Sequence, residues 1–61
     1  MDRRILEELL KIHRSQRDYA LKVLNDHYYE LEERNEETEW INRYVKHRNI
    51  VRELEQEEPD D

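Results

Sequence analysis

Three histidines, His13, His27 and His47, are the side chains best placed for chemistry in this chain, and each falls among apolar residues that recur at helical spacing. An imidazole titrates near about pH 6.5, and burial disfavours its charged form, so acidification would charge groups set in or beside a core. His13, His27 and His47 are therefore candidate pH-sensitive residues. As polar members of an apolar seam they would serve equally well to fix helix register. Metal binding is not expected. Di-metal sites in helical bundles use Glu-x-x-His, and the positions three before each histidine hold Leu10, Leu24 and Tyr44. His27 and Glu30 offer only the reversed spacing, which so acidic a chain produces by chance. Without cysteine there is no zinc–thiolate site and no disulfide framework.

Carboxylates gather at Glu30 to Glu39 and at Glu53 to Asp61, and they give the chain a net charge of -6. General acid–base catalysis needs carboxylates perturbed by a pocket, and 61 residues leave little interior in which to build one. No EF-hand loop pattern occurs, and a chain with no glycine has no phosphate-cradling loop. No catalytic residue and no cofactor are expected, and the chain reads as a non-enzyme. An acidic face of this kind suits docking on a basic partner. Tyr29 points away from the apolar face of its helix and, with Glu33, Glu36 and Glu37, is a candidate partner contact. Gln16 and Arg17 interrupt the apolar pattern; a partner's carboxylate would answer the Arg17 charge, unless the side chain reaches water at the bundle's edge.

Positioning these residues falls to helices. Glycine is absent and the single proline is Pro59, so nothing within the chain breaks a long helix, and tight hairpins between strands are disfavoured. Ile5, Leu6, Leu9, Leu10 and Ile12, then Tyr19 to Leu24, Tyr28 and Leu31, follow one another at spacings of three and four. This pattern predicts a first helix over residues 2–34, with Asp2 as N-cap and Glu7–Lys11 and Asp18–Lys22 as ion pairs on its wet side. Trp40, Ile41, Tyr44, Val45, Ile50, Val51 and Leu54 predict a second helix over 37–57. The turn falls at 35–36, where Asn35 tolerates a left-handed backbone or an N-cap role, and Thr38 is an alternative cap. Residues 1–57 thus form one α-helical domain, and 58–61 form a frayed acidic tail.

At about 1.5 Å per residue the first helix would be about 50 Å long and the second about 30 Å. Folded back from residue 35, residue 57 would lie opposite residue 13 or so, leaving Ile5, Leu6, Leu9, Leu10 and Ile12 without an intrachain partner. The expected fold is therefore all-α, a helical hairpin with a long first and a shorter second helix that self-associates into a four-helix bundle. Ile5, Leu6, Leu9, Leu10, Ile12 and His13 would form the interface of the homodimer. The alternative is a monomeric three-helix bundle with a break near residues 14–16, where Ser15-x-x-Asp18 has the form of a capping box.

Eight arginines and three lysines are present, but on the outer face they alternate with acids; only Arg43 to Arg52 is a basic stretch, and it is short. Nucleic acid is accordingly an unfavoured partner. In its expected architecture the chain resembles the Rop-like plasmid RNA-binding regulators, hairpins of similar length that dimerise into four-helix bundles. No motif matches residue by residue, so no functional residue follows from that resemblance. The favoured reading is a small protein–protein interaction module, an oligomeric regulator or adaptor presenting an acidic surface to a basic partner. An engineered bundle without a natural partner is the first alternative, since the glycine-free, cysteine-free composition suits one, and a Rop-like nucleic-acid-binding dimer is the second. No apolar run is long enough for a membrane span and no secretory signal opens the chain, which places the expected location in the cytoplasm.

Overall fold

Asp2 opens the first helix as its N-cap: the Oδ1 oxygen accepts a hydrogen bond from the Arg4 N–H at 2.8 Å, satisfying a donor that the helix itself leaves unpaired. The computed structural model describes residues 2–57, which form two helices, α1 (Arg3–Glu33) and α2 (Glu37–Gln56), packed together as a hairpin. The expected acidic tail, 58–61, lies outside the described residues. Helix α1 runs unbroken through residues 14–16, so the alternative three-helix bundle with a break there is not the fold.

The interruption comes later, at His27, whose backbone leaves helical geometry with φ -129 and ψ 22. Residues 25–29 read Asn-Asp-His-Tyr-Tyr, five consecutive residues of modest helix propensity, and Asn and Asp side chains compete for nearby backbone groups. The helix gives way inside that run. The chain then turns at Asn35, which takes the left-handed conformation with φ 56. Around it the Glu36 N–H donates to the Leu31 carbonyl at 2.8 Å and the Asn35 N–H to the Glu32 carbonyl at 3.1 Å. These are the two bonds of a Schellman cap, with asparagine in the place usually taken by glycine. Helix α2 begins after Glu36 with no side-chain cap, so neither Asn35 nor Thr38 fills that role. Glu37 and Glu39 in its first turn complement the positive end of the helix dipole instead.

Facing residues reveal the register. His13 meets His47 and Tyr19 meets Trp40, so opposed positions are centred near residue 30 and not at the turn residue 35. The reversal is shared between the His27 break and the Asn35 turn, and α2 consequently reaches further along α1 than two straight rods would allow. Leu6, Leu10, Val51 and Leu54 form one buried cluster, with Leu9 and Ile50 packed against it. Leu6 and Leu10 are each 2% exposed, a burial that contributes roughly 1.5–3 kcal/mol per side chain. This corrects the expected overhang of the first helix. Leu6 and Leu10 belong to the chain's own core, Leu9 and His13 are half-buried, and only Ile5 and Ile12 of the six expected interface residues remain exposed. The expected ion pairs also differ: Glu7 pairs with Arg3 at 3.3 Å and Asp18 with Arg17 at 3.0 Å.

Because Asn35 alone supplies the left-handed residue, Asn35→Ala should destabilise the hairpin by about 1 kcal/mol, whereas Asn35→Gly should be neutral or mildly stabilising. Urea unfolding of the two variants checks this; equal stability of the alanine and glycine variants would remove the cap from the account of the turn.

Candidate functional site

Two rows of side chains run along α1 one residue out of step. Leu6, Leu10, His13, Arg17, Ala20 and Leu24 advance by four and three, and so do Ile5, Leu9, Ile12, Gln16, Tyr19 and Val23. Each row is a heptad stripe, and on one helix the two lie side by side. The first row is covered by α2. The second turns to the flank of the hairpin, where Ile5, Ile12 and Tyr19 are 54%, 48% and 62% exposed while Leu9 and Val23 are half-buried.

Helix α2 extends this flank. Gln16 and Tyr19 share a depression with Trp40, Arg43 and His47, and an adjoining one lies between Tyr19, Val23, Leu31 and Trp40. Tyr19 and Trp40 stand at the junction with ring centroids 5.8 Å apart, and the small Ala20 beside them makes room for the indole. Arg43 lies over the Trp40 ring at 4.7 Å and donates to Glu39 Oε1 at 2.8 Å, which neutralises its guanidinium beside the two aromatic rings, while Lys22, Asp26, Glu30 and Arg34 rim the adjoining depression.

The opposite flank has different chemistry. Leu21, Tyr44, Arg48 and Arg52 line a depression there together with Arg17 and Glu55. Arg17 Nε lies 3.0 Å from Oδ1 of the neighbouring Asp18. Arg14 lies 3.9 Å from Glu55, and Arg48 sits over the Tyr44 ring at 5.8 Å. Cations and carboxylates therefore alternate on this side, which is unlike the continuous positive stripe that tracks a phosphate backbone.

Between the flanks, His13 and His47 bring their Nδ1 atoms to 2.9 Å, with the rings 5.1 Å apart and tilted by 31°. One Nδ1–H must donate and the other Nδ1 accept, so the two rings carry different tautomers. A second added proton would set two N–H groups against each other. Desolvation on burial, the nearby His13 and the adjacent Lys46 hold the His47 pKa below its ordinary value of 6.5. His27 does not share that setting: its side chain is 55% exposed and its Nδ1 lies 3.4 Å from Glu30 Oε2. Among the described residues no three His, Asp or Glu side chains gather as a metal site would require.

The sequence-predicted partner contacts are spread over the turn end of the molecule. Tyr29 is 82% exposed with its ring edge-on to Tyr28, Glu33 is exposed, and Glu36 and Glu37 are half-buried at the start of α2. What sequence reasoning missed is the separateness of the two rows on α1. The signal was present as a second heptad phase, one residue earlier than the first, which the single broad apolar face concealed.

The depressed His47 pKa has a definite sign. The unfolded chain takes up the proton first, so stability is complete above about pH 6.5 and falls as the pH drops below it. Melting curves from pH 7.5 to 5.5 should show a smaller decline for His47→Gln than for the native chain; identical slopes would detach the histidine pair from the pH response. No protein-family model matches this chain, and no curated protein or solved structure matches it significantly.

Proposed function

We propose that this protein is a small non-enzymatic protein–protein interaction module, a regulator or adaptor that works as a homodimer in a four-helix bundle. One observation carries this reading: an apolar row, Ile5, Leu9, Ile12, Tyr19 and Val23, interrupted only by Gln16, flanks the hairpin core with Ile5, Ile12 and Tyr19 exposed although the core beside it is closed. Scattered exposed apolar residues are ordinary, but a heptad-spaced row on a rigid helix is the surface that a further helix covers. Burying it against a second hairpin would double the small core without any change in the hairpin itself.

The outward surface of such a dimer is acidic, in keeping with the net charge of -6, and Tyr29, Glu33, Glu36 and Glu37 at its turn ends are the contacts offered to a basic protein. Charge would set the association rate and an aromatic anchor the residence time. No helix of the described residues is long and apolar enough to cross a membrane.

Sedimentation equilibrium tests the assembly directly. The native chain should sediment near twice its 7.8 kDa mass, and Ile12→Glu, at an exposed position that leaves the hairpin core untouched, should sediment as a monomer with unchanged helicity. A native chain that remains at 7.8 kDa up to millimolar concentration would sink the homodimer.

A further inference from the structure

The charges beside the open row of α1 bear on how a second copy would meet it. Beside that row the helix carries Glu8, Ser15 and Lys22 at spacings of seven, each just before Leu9, Gln16 or Val23. Charge reverses along these three positions, negative at Glu8, neutral at Ser15 and positive at Lys22. No ion pair among the described residues engages Glu8 or Lys22, and both side chains are exposed.

We infer that α1 meets the α1 of a second copy antiparallel about a twofold axis beside Ser15, pairing Glu8 with the partner's Lys22. This rests on the homodimer reading and specifies its geometry. In an antiparallel pair of heptad stripes the flanking residues just before each seam position face one another, here residues 8, 15 and 22. One register satisfies charge and packing together: it sets Leu9 against the partner's Tyr19, Val23 against the partner's Ile5 and Gln16 against the partner's Ile12. Ser15 then lies beside the partner's Ser15, where a small neutral side chain permits close approach on the axis. Because a twofold interface makes every contact twice, the Glu8–Lys22 attraction occurs at two symmetric points. A parallel arrangement would face Glu8 with the partner's His13 and Lys22 with the partner's His27, so neither charge would meet its opposite.

Charge exchange tests the register separately from the assembly. Glu8→Lys and Lys22→Glu should each weaken dimerisation about tenfold at low salt, since each puts like charges together at both points, and the double variant should return to within about twofold of the native chain. Helicity should be unchanged in all three. Ser15→Cys, the sole thiol in an otherwise cysteine-free chain, should be joined to itself by a short bis-maleimide, whereas Glu8→Cys should not. A dimer indifferent to the single charge changes, one not restored by the double variant, or one cross-linked through residue 8 in preference to 15 overturns the antiparallel register while leaving the homodimer intact. A native chain that stays monomeric overturns both.

Discussion

The register of α2 against α1 governs the rest of the molecule, and two local backbone events set it. A left-handed Asn35 closes the turn through a Schellman cap, and the loss of helical geometry at His27 lets the chain begin to reverse earlier. Without the second event α2 would stop short of Leu6 and Leu10. With it, Val51 and Leu54 cover both leucines, and the N-terminal half of α1 acquires a core from its own chain. Few residues are fully buried, so a shift by one position along α1 would exchange the buried row for its neighbour and expose most of what now lies inside.

That register also decides what remains uncovered. Helix α1 carries two apolar rows, but one α2 is wide enough for only one of them. The row through Leu6, Leu10 and Ala20 is taken, and the row through Ile5, Ile12 and Tyr19 is left at the flank. A polar layer interrupts the covered row at mid-length, where His13 and His47 satisfy each other across the seam. Such a layer costs stability relative to an aliphatic pair and tolerates few other alignments, since sliding the helices by a turn would leave an imidazole nitrogen facing leucine.

The two flanks of the hairpin therefore differ in kind. One carries the exposed apolar row and the Tyr19–Trp40 pair, with Arg43 held by Glu39 and the Trp40 ring; the other mixes arginines with carboxylates, pairing Arg14 with Glu55 and Arg17 with Asp18. A surface of the first kind gains by being removed from water, and one of the second kind is stable in it. This asymmetry underlies the proposed arrangement of two hairpins joined through their aromatic flanks, with acidic helix faces turned outward.

Composition and spacing alone determined that this chain is helical, that it has two helices meeting near residue 35, and that Asp2 caps the first. All three depend on local physics: absent glycine and internal proline, amphipathic periodicity, and a side chain bonding two residues along its own backbone. Where α2 lies along α1 was decided only in the tertiary structure. The run of weak helix formers at residues 25–29 was there to read, but it marks a place where a helix can yield. Whether it yields depends on the burial of Leu6 and Leu10 some twenty residues away, which no local window contains. The same holds for the exposed row. Periodicity placed Ile5 and Leu6 on one broad face, and only the position of α2 divided that face into a core and a surface.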